Sequence, residues 1–378
     1  MSFYSPTLPS PAHRDIFHGS SFLTYSEAMK KPAGSPKRPL RQLLLWPLYL
    51  PTLLTGAKSF KKNPVIGNRL LNRLGLHVLR LLLAAAIFKL RRWQLAWMLD
   101  STDRQQLQRQ GFLVKESFLP ADMFQRLEEE ARNRQLEARI CLQGDAITHR
   151  VLLDHVTQAQ LPACRELLAY RPWRRMLGYA AGRYRVPGVW IHRIYNGVNP
   201  GKLDPQLTLH SDSFHPTIKA WLFLDDVDER NGPFTYVPGS HRLSLRRLVW
   251  EYRRSVGMTG EGDHYSASGS LRLGPGDSEY LNLPPPVACK VARNTLVIAD
   301  THGFHCRGAS QPGSSRLAIW CISRTNPFNP LPGLPFRFLD RIDLAIFRGH
   351  LAWQDWRAAR RGGKPSWRKT PPEWRPDS

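Results

Sequence analysis

Acidic residues are scarce in this chain, above all near its start. The 378 residues include 54 Lys and Arg but only 30 Asp and Glu, so the formal net charge at pH 7 is +24. Residues 1–100 contain only three acidic side chains, Asp15, Glu27 and Asp100. A basic excess of this size favours an anionic partner, whether a nucleic acid, an acidic membrane surface or an acidic substrate. The alternative is a surface whose basic side chains are simply solvated.

Cysteine is also rare, and none of the five cysteines forms a CxxC pair. The spacing excludes a standard zinc site, and the odd number and wide spread argue against a disulfide framework. A reducing compartment therefore fits best, and we expect a cytoplasmic protein. No known nucleic-acid-binding motif is present, so we expect no nucleic acid among the partners despite the charge.

Long uninterrupted apolar runs are missing as well. The block RQLLLWPLYLPTLL (41–54) is short and contains two prolines, whereas a membrane-spanning helix needs about 20 apolar residues. The block LGLHVLRLLLAAAIFKLRRWQLAWML (74–99) is interrupted by Arg80, Lys89, Arg91 and Arg92. Residues 1–30 lack the apolar core of a cleavable signal peptide.

These two blocks have two interpretations. Apolar blocks edged by Lys, Arg and Trp suit segments that lie in a membrane interface, with their basic side chains directed at anionic lipid. This interpretation predicts peripheral association with the inner face of a membrane. The alternative is a pair of ordinary helices that pack on the body of the protein with their basic side chains in water.

Changes in composition divide the chain into four parts. Residues 1–39 are rich in Pro and Ser and are predicted to be a loose tail. Residues 40–99 are the basic amphipathic segment, residues 100–326 are the main domain, and residues 327–378 are a basic, Trp-rich extension.

The main domain is predicted to be mainly β with flanking helices. From residue 103 the pattern indicates a helix ended by Gly111, a short strand at 112–115 and a second helix from about 120. Residues 181–326 contain short alternating or apolar runs, such as TIKAWLFLDDV and RLAIWCIS, broken by Gly, Pro, Asn and Asp. This pattern is typical of an all-β sandwich or barrel and not of alternating βαβ units.

His210 and Asp212 are candidate metal ligands. In a strand, residues i and i+2 point to the same face, so this imidazole and this carboxylate can meet one metal ion. One more histidine would complete a two-histidine, one-carboxylate triad, which leaves open positions on Fe(II) for a co-substrate and O₂. His302 and His305 are the candidates for that ligand. Arg316 favours His305, because it follows at a distance of one turn and a return strand and offers a bidentate partner to the far carboxylate of 2-oxoglutarate.

Residues 103–326 resemble the phytanoyl-CoA dioxygenase family of Fe(II)- and 2-oxoglutarate-dependent oxygenases. The similarity rests on the helix–strand–helix LQRQGFLVKESFLPADMFQRLEEEA, then HSD, then AWLFLDDVDERNGPFTYVPGSHR, and finally FHCRGASQPGSSR, in this order. It implies a double-stranded β-helix (jelly-roll, cupin-like) core. It also implies Fe(II) as the cofactor and 2-oxoglutarate and O₂ as co-substrates, with ascorbate as a supporting reductant.

The resemblance also assigns roles to individual residues. It implies that His210, Asp212 and His305 bind the iron, that Arg316 holds 2-oxoglutarate and that Trp221 lines the co-substrate pocket. Arg307 departs from the pattern, because a smaller polar residue often stands there. Three further residues, His192, Tyr195 and His215, are candidates for contacts to the substrate.

The expected function is therefore the hydroxylation of a C–H bond, with release of succinate and CO₂. The basic surface and the apolar start favour a lipid-type or acyl-bearing substrate. The alternatives are a soluble acyl-CoA or small carboxylate as the substrate, and a catalytically silent jelly roll that acts as a sensor or scaffold.

Overall fold

The computed structural model describes residues 46–374 and 376, apart from 134, 187, 200, 203, 259–262, 324, 337 and 364. The predicted loose tail, 1–39, and the first residues of the basic segment, 40–45, lie outside the described residues.

Two antiparallel sheets face each other at the centre of the protein. The strands are β1 (Phe112–Lys115), β2 (Ala138–Gln143), β3 (Ala146–Leu152), β4 (Val189–Tyr195), β5 (Ile218–Phe223), β6 (Phe234–Tyr236), β7 (Val287–Cys289), β8 (Thr295–Asp300), β9 (His305–Arg307), β10 (Ser315–Ile322) and β11 (Arg368–Thr370). The larger sheet has the order β1-β8-β5-β10-β4-β3-β2-β11, and the smaller sheet has the order β7-β6-β9. This arrangement is a jelly roll, as predicted.

Helices flank this core. They are α1 (Trp46–Tyr49), α2 (Arg69–Arg73), α3 (Leu76–Gln94), α4 (Ser101–Gln110), α5 (Ala121–Asn133), α6 (His155–Gln160), α7 (Pro162–Ala169), α8 (Arg171–Ala181), α9 (Leu245–Gly257), α10 (His264–Ala267), α11 (Asp277–Tyr280) and α12 (Phe338–Arg360). Short 3₁₀ helices occupy Leu50–Leu54, Ala96–Met98 and Pro205–Leu207. The predicted helix–strand–helix at the start of the main domain is confirmed as α4, β1 and α5. Gly111 ends α4 in the left-handed conformation, at φ 83°.

Alternation along the strands gives the larger sheet two apolar faces. One face packs against the helices, and Leu222, Ile298 and Ile319 are buried there. The other face packs against the smaller sheet, and Trp221, Val297 and Trp320 are buried on that side. Because successive side chains point to opposite faces, a single strand such as β10 contributes to both layers.

Some strands fall outside the part of the sequence in which strands were expected. The hairpin of β2 and β3 precedes residue 181, and β11 comes from the C-terminal extension and pairs with β2. The three residues of β11, RKT, carry no apolar alternation, so this strand forms by backbone pairing with a sheet edge that the local sequence does not reveal.

The basic segment packs on the body of the protein over its described residues, 46–99. Phe60 and Ile66 join a cluster with Trp250 and Phe304. The arginines that interrupt the second apolar block do not all face outward, since Arg80, Arg91 and Arg92 are buried. The expectation that these three side chains lie in water or face lipid is therefore wrong. No helix within the described part of the chain is long and apolar enough to cross a membrane.

Candidate metal centre

His210, Asp212 and His305 meet at one point between the two sheets. The Nε2 atoms of His210 and His305 lie 3.8 and 3.7 Å from Oδ1 of Asp212. The ligand atoms of all three residues lie within 4.8 Å of one another. This set of two imidazoles and one carboxylate can hold one metal ion.

Backbone hydrogen bonds bring the three residues together. His210 and His305 form an antiparallel bridge in which each backbone N–H donates to the carbonyl of the other residue, at 2.9 and 3.0 Å. The backbone N–H of Asp212 donates to the carbonyl of Thr301, at 2.9 Å. The ligands are therefore fixed by the same pairing that closes the jelly roll.

Each histidine ring is oriented by a hydrogen bond at Nδ1. His210 Nδ1 lies 2.8 Å from the carbonyl of Thr208, and His305 Nδ1 lies 3.0 Å from the carbonyl of Gly303. Because a carbonyl only accepts, Nδ1 carries the proton in each ring, and the lone pair on Nε2 points at the other ligands. Nε2 of His305 is buried and has no hydrogen-bond partner among the described residues. A divalent metal at this point would satisfy that atom.

The protonation states also suit a metal. Burial lowers the pKa of His210 to about 3, and the neighbouring His305 adds to the effect. Burial likewise lowers the pKa of His305 to about 4. Burial opposes the ionisation of Asp212, but Lys219 and the two histidines outweigh it and hold the pKa of this carboxyl well below its ordinary value. Two neutral imidazoles and one carboxylate are the donor set that Fe(II) oxygenases use.

His302 lies apart from this cluster. Its Nδ1 lies 2.9 Å from the backbone carbonyl of Ser213, and its own carbonyl accepts a hydrogen bond from Arg247. The ring is buried, but it is not within reach of the other ligands. The structure thus brings His305, and not His302, to His210 and Asp212.

A cavity of about 590 Å³ opens beside the metal centre. It is lined by four of the other residues singled out from the sequence, Trp221, His192, His215 and Arg316. Tyr195 is not among the lining residues. On β4, His192 and Ile194 point into the cavity, so Tyr195 lies on the opposite face, where its ring approaches Trp374 at 6.0 Å. Tyr195 therefore lies outside the described cavity lining, and its contact with the substrate stays a prediction.

Arg316 marks one end of the cavity. Its guanidinium is buried, and its Nη1 donates to the carbonyl of Gly232. Burial lowers the pKa of Arg316 to about 9, and the nearby Arg307 contributes to the shift. Arg307 itself lines the cavity and lies 2.8 Å from Asp204 Oδ2 through its Nη1. Two guanidinium groups therefore stand where a dicarboxylate co-substrate is expected.

His192 is held at the same end by Arg150. The Nε of Arg150 donates to Nδ1 of His192 at 2.9 Å, which leaves the proton of the neutral ring on Nε2. The guanidinium of Arg150 lies over the ring of Trp320, at 3.8 Å, and over the ring of Trp367, at 4.5 Å. Trp367 comes from the C-terminal extension and lines the cavity.

Two lysines that sequence reasoning missed reach Asp212. Lys219 Nζ lies 2.6 Å from Oδ2 of Asp212, and Lys58 Nζ donates to its backbone carbonyl. The sequence could have predicted that Lys219 belongs to the site, because it lies two residues before Trp221 on β5 and its side chain therefore lies on the same face of the sheet. Lys58 had no such signal, since it comes from a segment 154 residues earlier in the chain.

One family model matches part of the chain. The family model described as phytanoyl-CoA dioxygenase (PhyH) matches residues 107–268. The match includes His210, Asp212 and Trp221, whereas His305 and Arg316 lie beyond it and rest on the geometry described above. No curated protein sequence matches the chain.

Similar solved structures include three iron- or nickel-bound enzymes. The epimerase SnoN in complex with Fe3+, alpha ketoglutarate and nogalamycin RO is 18% identical, covering 60% of this chain and 83% of that chain, with a TM-score of 0.40. HygX from Streptomyces hygroscopicus with nickel, 2-oxoglutarate and hygromycin B is 14% identical, covering 59% and 86%, with a TM-score of 0.39. EctD from S. alaskensis with bound Fe is 17% identical, covering 60% and 77%, with a TM-score of 0.37.

Proposed function

We propose that the protein hydroxylates a C–H bond of an anionic, acyl-bearing lipid. The premise is that residues 107–268 form a domain of the phytanoyl-CoA dioxygenase family, a family of Fe(II)- and 2-oxoglutarate-dependent oxygenases. The charge of the cavity carries this proposal. Among its described lining residues, Asp212 is the only carboxylate, while the cations are Lys58, Arg150, Lys219, Arg307 and Arg316.

The positive charge exceeds what the co-substrate needs. Fe(II) is doubly positive and 2-oxoglutarate doubly negative, so the pair adds no net charge to the cavity. Asp212 offsets one cation and Asp204 offsets Arg307. Among the described residues that line the cavity the cations outnumber the carboxylates, and this excess favours a substrate that carries a carboxylate, phosphate or sulfate.

The cations fall into two groups. Arg150, Arg307 and Arg316 lie close enough to His192 to lower its pKa, after burial. Lys58 has the same effect on His215, also after burial. Asp212 lies near the second group, because Lys58 donates to its carbonyl. The first group suits the far carboxylate of 2-oxoglutarate, and Lys58 with His215 suits an anionic group of the substrate.

Aromatic side chains supply the apolar part of the cavity. Phe234, Trp221, Trp320 and Trp367 line it together with Ile194 and Ile322. An apolar wall beside a few placed cations is the expected lining for a ligand with an acyl chain and a charged head.

The residues of the chain bind and orient the reactants. His210, Asp212 and His305 would hold Fe(II) through Nε2, Oδ1 and Nε2. Arg316 anchors the co-substrate by its far end, and Lys58 fixes the anionic head, so the target C–H bond points at the metal centre. When bound, Fe(II) with 2-oxoglutarate and O₂ supplies the oxidation, in which the co-substrate yields succinate and CO₂ and one oxygen atom enters the C–H bond.

Succinate formation tests this proposal. The purified full chain is supplied with Fe(II), 2-oxoglutarate and ascorbate, and succinate is measured alone, with a total lipid extract, with palmitoyl-CoA and with small carboxylates. We expect the lipid extract to stimulate turnover most. Stronger stimulation by palmitoyl-CoA or by a small carboxylate would instead indicate that the substrate is a soluble acyl-CoA or a small carboxylate. Bound iron without any 2-oxoglutarate turnover would favour the silent scaffold.

Lys58 offers a sharper test of the substrate's charge. Lys58→Met should raise the concentration of lipid that gives half-maximal stimulation by about tenfold, because a charged hydrogen bond contributes about 1.5–3 kcal/mol. The apparent KM for 2-oxoglutarate should stay unchanged, since Arg316 binds that end. The matched control is Lys290→Met, which removes a lysine that is 52% exposed and that is not among the residues lining the cavity. An equal effect of both variants would contradict a specific role for Lys58.

A further inference from the structure

Helix α3 buries several charged side chains while many of its leucines face outward. Its buried face includes the apolar Leu81, Ala84 and Phe88 and also His77, Arg80, Arg91 and Arg92. Its exposed face carries large apolar side chains at helical spacing, and this face extends into the residues before and after the helix. These side chains are Leu70, Leu74, Leu79, Leu82, Leu83, Leu90, Trp93 and Trp97. We call this surface the α3 outer face.

The inward charges fix this orientation. Arg80 donates to the carbonyls of Leu53, Thr55 and Ala57, at 3.0, 2.9 and 2.8 Å. Arg92 donates to the carbonyl of Ala180 at 2.8 Å, and its guanidinium lies over the ring of Phe88 at 4.4 Å. A rotation that buried the leucines would break all of these hydrogen bonds and would leave carbonyls unsatisfied. Among the described residues, the outer face therefore stays apolar and exposed.

The exposure is too extensive to be incidental. Leu74, Leu79 and Trp93 are 76, 65 and 75% exposed. Single exposed apolar residues are common on protein surfaces, but a contiguous row marks a site of interaction with a protein or a membrane.

The charge around the α3 outer face selects the partner. Residues 46–99 contain no acidic side chain, and the exposed basic residues nearby are Lys61, Lys62, Arg69, Arg73 and Lys89. An apolar helix face in a segment whose exposed charges are all cationic, with tryptophans towards one end, complements the surface of an anionic bilayer. A second copy of this chain, which carries a net charge of +24, would bring like charges together. We infer that the α3 outer face docks on an anionic membrane.

Helix α3 also contacts the segment that contributes to the cavity wall. Arg80 binds the backbone of residues 53–57, and the same stretch contributes Gly56 to the cavity wall just before Lys58. Leu48, Leu50 and Leu54 are exposed beside it. Helix α3 has 19 residues and, like every described helix, is not a candidate for spanning a bilayer, so it would lie along the membrane plane.

Sedimentation with vesicles tests the inference without any measurement of activity. The full chain is mixed with vesicles of equal parts phosphatidylglycerol and phosphatidylcholine, or of phosphatidylcholine alone, over a range of salt. We expect binding to the anionic vesicles that weakens as salt rises but does not vanish, because salt screens charge and leaves the apolar contribution. No binding to anionic vesicles at low salt would overturn the inference.

Two substitutions separate the α3 outer face from general surface charge. The double variant Leu79→Gln, Trp93→Gln should bind anionic vesicles at least about tenfold more weakly, since it removes two exposed apolar side chains. The control is Leu142→Gln on β2, at a side chain that is 45% exposed, and it should bind like the unchanged protein. Equal binding by all three proteins would overturn the inference. So would a dimer of the unchanged protein that the double variant abolishes, because a second copy would then cover the face.

Failure of docking and failure of the proposed function are distinguishable. Vesicle binding does not need Fe(II) or 2-oxoglutarate, and turnover can be measured with lipid dispersed in detergent. A protein that turns over dispersed lipid without binding vesicles would refute only the docking surface.

Discussion

Lys219 Nζ lies 2.6 Å from Oδ2 of Asp212, while Oδ1 of the same carboxylate faces the two histidines. The lysine thus holds one oxygen and leaves the other directed at the metal position. Groups of this kind orient metal ligands, and their loss commonly weakens metal binding or activity by about 10- to 100-fold.

Replacement of Lys219 should therefore loosen the metal centre. We expect Lys219→Met to weaken Fe(II) binding by about 10- to 100-fold, because the carboxylate of Asp212 becomes free to rotate. Lys219→Arg keeps a donor and should recover part of the affinity. Titration of the apoprotein with Fe(II) under anaerobic conditions measures the effect. Unchanged affinity in Lys219→Met would show that Asp212 is oriented by other contacts.

The two neighbouring histidines should behave differently. His305→Ala should lose more than about 100-fold in turnover together with its iron, since a ligand matters more than a group that orients a ligand. His302→Ala should retain one equivalent of iron and instead lose about 0.5–1.5 kcal/mol of stability, because it removes one buried hydrogen bond to the carbonyl of Ser213, which keeps the hydroxyl of Ser211 as its other donor. Metal analysis and thermal unfolding of both variants check this. If only His302→Ala loses its iron, His302 is the metal ligand and His305 is not.

Arg316 should act on the co-substrate and not on the metal. A single ammonium cannot reproduce the planar fork of a guanidinium on a carboxylate. We expect Arg316→Lys to raise the apparent KM for 2-oxoglutarate by about 10- to 100-fold, as the loss of one charged hydrogen bond implies, with iron content unchanged. Initial rates over a series of 2-oxoglutarate concentrations provide the measurement. A normal KM would exclude Arg316 from the co-substrate pocket.

His241 should contribute to the loss of stability in acid. Burial lowers its pKa to about 3, and Arg92 adds to the effect. Below about pH 6.5 the unfolded chain takes up a proton at this ring, whereas the folded protein does not, so the free energy of unfolding falls as the pH falls towards 3. The slope is about 1.4 kcal/mol for each pH unit. The pKa values of His149 and His192 are lowered as well, and their contributions have the same sign.

Substitution of His241 makes this contribution measurable. His241→Gln should destabilise the protein more at pH 6.5 than at pH 4.5, because the variant no longer takes up that proton on unfolding. Urea unfolding at several pH values, with a chelator in every sample, excludes effects of metal loss. A difference in stability that is the same at all pH values would mean that His241 has the same pKa in the folded and the unfolded protein.

The sequence by itself determined the type of core and most of the metal centre. The alternation of apolar and polar residues and the turn residues between short runs predicted an all-β sandwich or barrel, and the family resemblance implied a jelly roll, which the two facing sheets confirm. The spacing of His210 and Asp212 predicted that they share one face. These features depend on backbone periodicity and on neighbours two residues apart, which a local pattern records directly.

Only the tertiary structure decided how the two extensions meet the cavity. Lys58 reaches Asp212 across 154 residues of sequence, and Trp367 lies over Arg150 because β11 pairs with the edge of the larger sheet. Contacts between such distant segments have no local pattern, and a three-residue strand without alternation gives no sign of its partner.

The sequence also did not determine which face of α3 is buried. Its sequence is apolar on more than one side, and a simple amphipathic interpretation places arginines in water. The folded protein does the reverse at Arg80 and Arg92, because the carbonyls of Leu53, Thr55, Ala57 and Ala180 lie where only a guanidinium can satisfy them. The hydrogen-bond partners of these arginines are backbone groups on other segments of the chain. Only tertiary packing could therefore place the arginines inward and turn the leucines of α3 outward.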